Sequence, residues 1–187
     1  MSVESELAEL RTRIAHLEDR AAIVDCIARH ARGCDRHDLD LIARAYWPDG
    51  VDEHGNAVNS GADYGTWANR SHAATTQVHT HNVTTHTCEI DGDTAHAESY
   101  VLVVLLGADG RSAQCISGRY LDRLERREGE WRIAVRRSTV EVMFGADAAV
   151  LRSSFFRDQG YLVGTRDRDD LSYVRPLGID DPAPARW

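Results

Sequence analysis

The chain has 187 residues, 42% hydrophobic and 28% charged, with a net charge of −8 at neutral pH. That is the ordinary composition of a globular protein and enough chain for one domain with its own core. The acidic balance argues against nucleic acid as a partner, and no apolar run approaches the ~20 residues of a membrane span. All 22 basic residues are Arg, which excludes a Lys Schiff base, a catalytic Lys and a Walker-type phosphate loop. The acidic start MSVESELAEL lacks the layout of a signal peptide, so a cytoplasmic location is expected. Cys26, Cys34, Cys88 and Cys115 form no Cys-x-x-Cys pair and read as free, mostly buried thiols.

Residues 4–32 place Leu7, Leu10, Ile14, Leu17, Ala21, Val24 and Ala28 at helical steps, and Gly33 is expected to stop this first helix. Asp38 can cap a second helix running through Leu39, Ile42, Ala43 and Tyr46. WPDG should break the chain, and residues 51–61 look like a ragged hairpin with a Gly-Asn turn. A third helix is predicted over about 62–75. From Gln77 onward, segments 77–90, 94–106, 112–127 and 130–144 alternate with the turn signals DGD, ADG and REGE. The pattern predicts an α+β domain over 1–144, with helices on one face of a curved, mostly antiparallel sheet. Residues 145–187 read as an extension that packs over the domain edge or a neighbouring subunit. In it, Phe155, Phe156 and Tyr161 form an apolar cluster needing cover.

The stretch QVHTHNVTTH carries His79, His81 and His86. Side chains alternate along a strand, so His79, His81 and Val83 share a face, while His86 would need a bulge to join them. Three readings stay open for this segment. His79 and His81 could hold a metal, completed by His96 and Glu98; the strand could be polar because it is solvated; or one imidazole could work as an acid–base group. The last needs a carboxylate to fix the ring's tautomer. Asp35, in the connector after the first helix, is the best candidate, because the neighbouring Asp38 already has a capping duty; a turn or cap role for Asp35 is the alternative. By parity Tyr100 shares a face with His96, Glu98 and Leu102 and could lend its phenol to a pocket. Tyr46, Trp47, Trp67 and Phe144 are expected to line an apolar interior.

Three segments in this order, namely a long first helix leading into CDRHDLDLIARAYWPDGV, a histidine strand closing in EIDGDTA, and SGRYLDRLERREGEWRIAVRR, resemble the SnoaL-like branch of the nuclear-transport-factor-2-like superfamily. That branch includes scytalone dehydratase, bile-acid 7α-dehydratase and hexachlorocyclohexane dehydrochlorinase. The resemblance covers roughly residues 5–144 and implies a cone-shaped α+β fold. In the lyase members an Asp just after the first helix pairs with a His on the first long strand. Asp35 matches the former by context, and His81 the latter by lying ten residues before Asp91. The resemblance thus implies His81 as general base, Asp35 as its orienting partner and His79 as a neighbour. The chain departs from bile-acid 7α-dehydratase in two places that touch substrate there. His30 stands where that enzyme has a tyrosine, and its late-strand arginine falls near Val140, with Arg136 and Arg137 slightly earlier. The substrate therefore does not carry over, and His30 and Arg137 are the candidate substrate contacts. The implied chemistry is proton abstraction beside an activating group with loss of water or another leaving group, on a hydrophobic polycyclic or aromatic small molecule. No cofactor and no metal is expected. An isomerase or cyclase, a small-molecule binder and an oxygenase-subunit-like protein are the alternatives. A homo-oligomer, dimer or trimer, is expected by the same resemblance.

Overall fold

The computed structural model describes residues 2–182 and 185–187. Helix α1 spans Val3–Arg36, with the Ser2 hydroxyl accepting from the Ser5 backbone N–H, and Glu4 and Glu6 in its first turn, where negative charge suits the helix dipole. It does not stop at Gly33. There the missing side chain lets helix α2, Leu39–Ala43, approach closely: a Cβ on Gly33 would lie 2.8 Å from Ile42 Cγ1. The stop is His37, left-handed at φ 49°, whose N–H bonds back to Cys34 and Gly33. Asp38 caps α2 as the sequence predicts, accepting from Leu41 N–H at 3.2 Å.

WPDG does not break the chain. It lies within strand β1, Tyr46–His54, where the register shifts between Tyr46 and Val51. Strand β2, Ala57–Ser60, pairs back on β1 across the Gly55-Asn56 turn, and helix α3, Gly61–Thr75, follows. Then come the four meander strands: β3 Thr76–Asp91, β4 Thr94–Gly107, β5 Ser112–Arg127 and β6 Glu130–Asp147. The sheet has six strands in the order β2-β1-β6-β5-β4-β3, and every neighbouring pair is antiparallel except β1 with β6. The result is an α+β fold with the helices on one face of an open, curved sheet.

Alternation decides which side chains meet the helices. Ala95, Ala97, Val101, Tyr120, Leu124 and Ile133 face inward and pack on Ile23, Cys26 and Ile27 of α1, Ile42 of α2, and Tyr64 and Ala68 of α3. Each fully buried Ile or Leu contributes roughly 1.5–3 kcal/mol by leaving water. Only the C-terminal part of α1 takes part; Leu7, Leu10, Ile14 and Leu17 are 49–65% exposed. At Thr84-Thr85 the β3 register slips, so Val83 opposes Val101 while His86 opposes Ser99. That bulge turns His86 onto the inner side, where its Nδ1 lies 2.8 Å from Ser99 Oγ.

Strand β6 continues past Phe144 to Asp147, and Phe144 is exposed rather than interior. Beyond it the chain folds back over the helices through short turns at Ala149–Arg152, Ser154–Arg157 and Leu171–Tyr173. Arg36 donates to Asp170 at 2.9 Å, and Tyr173 donates its hydroxyl to Asp38 at 2.7 Å. Phe156 meets Tyr161 and Trp187, while Phe155 stays exposed. Among the described residues, no helix is long and apolar enough to cross a membrane.

Candidate functional site

Asp35 sits in the last turn of α1 and faces β3. Both of its oxygens accept from the backbone N–H of His81, at 2.9 and 3.1 Å, and Oδ1 lies 2.7 Å from His81 Nδ1. A carboxylate only accepts, so the shared proton belongs to Nδ1 and the lone pair to Nε2. The same carboxylate therefore fixes the strand, the ring and the tautomer. The two side chains are 6% and 13% exposed, which removes most of the water that would weaken the pairing.

His81 lines a cavity of about 170 Å³ whose walls come from α3 (Tyr64, Trp67, Ala68), β4 (Val101, Val103) and β5 (Ile116, Tyr120). Ser138 and Thr139 of β6 add hydroxyl groups, and His54 of β1 closes one side. Larger troughs exist, including an open, charged one of about 750 Å³ lined by His86, Glu98 and Arg123. The smaller cavity is the one that combines apolar walls with convergent polar groups.

His54 brings a second carboxylate with it. Its Nδ1 bonds Asp52, a wholly buried residue, and its Nε2 lies 3.0 Å from Ser138 Oγ. Asp52 also accepts the Tyr46 hydroxyl at 2.5 Å, and Tyr46 is in turn 3.1 Å from His30 Nε2. Arg136 donates to His30 Nδ1 at 2.9 Å, so the His30 proton must sit on Nε2 and point at the Tyr46 oxygen. A directed chain, Arg136 to His30 to Tyr46 to Asp52, thus ends on the carboxylate that orients His54. Sequence reasoning missed Asp52 and His54 because 51–61 reads as a ragged hairpin. The signal is present: two residues apart on a strand, they share a face.

The sequence-predicted residues fall into three groups. Asp35, His81 and Trp67 meet at or beside the cavity. His30, Tyr46 and His79 are buried behind its wall, with His79 Nε2 bonding the Cys34 carbonyl at 3.0 Å. Tyr100, Trp47 and Arg137 lie elsewhere. Tyr100 is 42% exposed on the outer face, because alternation gives the inner positions to Ser99 and Val101. Trp47 donates to the Glu125 carbonyl under the guanidinium groups of Arg127 and Arg132. Arg137 points outward to Glu53, because its neighbour Arg136 takes the inward place.

Burial, helped by the Arg136 charge, holds His30 well below the ordinary 6.5 of histidine. The folded state therefore keeps His30 neutral while the unfolded chain takes up a proton below pH ~6.5. Stability should then be intact above that pH and fall as the pH drops below it. Urea midpoints at pH 7.5, 6.5 and 5.5 check this: a decline is expected, shallower in His30→Gln, and an equal slope in that variant would refute the assignment. Burial also pushes the Cys34 thiol up to about 12, so it stays protonated.

Comparison with known proteins agrees with this architecture. The crystal structure of hexachlorocyclohexane dehydrochlorinase (LinA) type 2 superposes with a TM-score of 0.67 at 21% identity, over 73% of this chain and 94% of that one. A protein of unknown function from Mycobacterium tuberculosis matches at 29% identity and TM-score 0.60, over 68% of this chain and 74% of that one. A scytalone dehydratase-like protein from Novosphingobium aromaticivorans matches at 17% identity and TM-score 0.63, over 69% and 88%. No curated protein matches the sequence. The model of the SnoaL-like domain matches residues 15–137, and the chain belongs to the SnoaL-like domain family.

Proposed function

We propose that the protein is a cofactor-independent lyase that removes water or a comparable leaving group from a hydrophobic small molecule, with His81 as base. The observation that carries this reading is the 2.7 Å contact between His81 Nδ1 and Asp35 beside an apolar cavity. His81 Nε2 takes a proton from a carbon next to an activating group. The C–H electron pair becomes the new double bond, and the leaving group departs from the adjacent carbon with its own bonding pair. His54 lines the same cavity and, when its Nε2 carries a proton, can give that proton to the departing oxygen. A dehydrochlorinase and a dehydratase-like protein among the structural neighbours support elimination as the reaction class.

A cavity of about 150 Å³ accepts benzene. The 170 Å³ here therefore favours a substrate built around one aromatic ring over a polycyclic one. Isomerisation is the second reading, favoured by the presence of three imidazoles, His54, His72 and His81, on one cavity, since a proton taken by one can be returned at another carbon. A panel of single-ring phenolic, two-ring and steroid alcohols, scored by thermal shift and by appearance of the dehydrated product, tests both readings. Double-bond migration without loss of water would replace elimination by isomerisation, and ligand binding without turnover would leave a binding protein.

We further propose that the protein assembles as a dimer or trimer, since the exposed stripe Leu7, Leu10, Ile14 and Leu17 has no partner within the described chain. Sedimentation velocity should show an oligomer that Ile14→Glu weakens, and a wild-type monomer at micromolar concentration would end this reading.

A further inference from the structure

Three imidazoles outside the His81–Asp35 pair come together where α1, α3 and β3 meet. His37 is the left-handed residue closing α1, His72 lies in the last turn of α3, and His79 is near the start of β3. Ring centroids are 4.1 Å apart for His72 and His79, and 5.3 Å for His37 and His79. One nitrogen from each can be chosen so that all three lie within 4.8 Å of one another. Nε2 of His37, Nδ1 of His72 and Nδ1 of His79 are buried and have no hydrogen-bond partner among the described residues. Buried polar atoms are nearly always satisfied, so three orphans in one place point to an absent partner. His79 is the most telling, because it is 1% exposed. Its Nε2 donates to the Cys34 carbonyl, which leaves the lone pair on the buried Nδ1. A backbone carbonyl fixing the far nitrogen is the usual support of a metal-bound histidine.

We propose that His37, His72 and His79 bind one divalent transition-metal ion of the zinc type, with a fourth position left for water. Three neutral nitrogen donors and no carboxylate select zinc, cobalt, nickel or copper over magnesium and calcium. Tetrahedral bonds of ~2.0–2.1 Å put donor atoms about 3.3 Å apart, so the rings would close in by up to about 1.5 Å on binding. Burial lowers His72 to about 3 and His79 to about 4, so both are unprotonated ligands at neutral pH. The Arg166 guanidinium, bonded to the His72 carbonyl and Thr76, opposes a cation here, and the Asp35 carboxylate offsets it. Asp35, His79 and His81 also cluster, but Asp35 and His81 Nδ1 are spent on each other. The ion would sit beside that pair without consuming it and does not depend on the lyase reading.

The test uses untagged, metal-stripped full-length protein titrated with zinc or cobalt(II). One equivalent per chain by elemental analysis is expected, with visible bands of tetrahedral cobalt. His37→Gln and His72→Gln should each weaken binding by more than ~100-fold, beyond the loss that attends removal of an outer partner. His81→Gln should keep it. Circular dichroism of the stripped variants confirms folding. Should one fail to fold, substoichiometric cobalt in wild type should shift the ring resonances of His37, His72 and His79 and spare His86 and His96. No stoichiometric uptake overturns the proposal, as does binding kept in His37→Gln and His72→Gln, or binding lost in His81→Gln but kept in His37→Gln.

Discussion

His81→Ala is expected to abolish turnover of whichever panel substrate the wild-type protein converts, while the fold stays intact. The ring is largely buried but packs at a cavity wall, so its loss enlarges a space that already exists. Asp35→Asn should lower kcat about 10²–10⁴-fold, the range of a positioned acid–base group. An amide can still accept from the His81 backbone N–H, so the strand should hold. It can also offer its NH₂ to the ring, which then presents the wrong nitrogen to the cavity. Asp35 is thus a positioning residue, and its loss should show in kcat more than in KM. His54→Gln should cost less than His81→Ala, because a weaker donor can still assist the leaving group. Steady-state kinetics with all three variants decides the matter, and near wild-type rates for His81→Ala would remove the base assignment.

The largest effect on stability is expected at Asp122. Its carboxylate accepts two bonds of 2.7 Å from Arg136, and both side chains are wholly buried. The guanidinium also lies 3.9 Å from the centre of the Tyr120 ring and donates to His30. Asp122→Ala leaves a buried cation uncompensated, which costs about 3–5 kcal/mol. For a chain of this length that is a fall in Tm of roughly 6–20 °C. The double variant Asp122→Leu/Arg136→Met removes both charges and should recover most of the loss, though His30 Nδ1 then lacks its donor. Urea denaturation of the single and double variants measures this, and a cost under about 1 kcal/mol for Asp122→Ala would contradict the burial argument.

Much of this architecture is legible residue by residue. The turn dipeptides Asp91-Gly92 and Asp109-Gly110 mark hairpins that the structure contains, and alternation through β4 and β5 separates inner from outer side chains. Asp38 is recognisable as a cap because it immediately precedes an apolar periodic run. The placement of Asp35 beside His81 joins residues 46 positions apart, which no local pattern encodes; the capping duty of Asp38 points to Asp35, and the family resemblance singles out His81 as its partner. Other features depend on irregularities that periodicity does not show. The slip at Thr84-Thr85 reverses His86, and the slip after Tyr46 keeps WPDG within a strand. Arg136 and Arg137 are adjacent and chemically alike, yet only one faces Asp122; which one depends on the β5–β6 register, where Asp122 opposes Arg136. Asp52–His54 stays hidden because β1 borders β6 in parallel, a long-range pairing that makes an apparently ragged segment part of the cavity wall.

Proton abstraction by His81 requires its ring to present the Nε2 lone pair to the cavity while Asp35 holds the proton on Nδ1. Ring ¹⁵N NMR of histidine-labelled protein at pH 8.5, with His81 assigned by difference from His81→Ala, reads this directly. A single Nδ1–H tautomer for His81, shifted or mixed in Asp35→Asn, is the predicted result. An Nε2–H tautomer in the wild-type protein would contradict it.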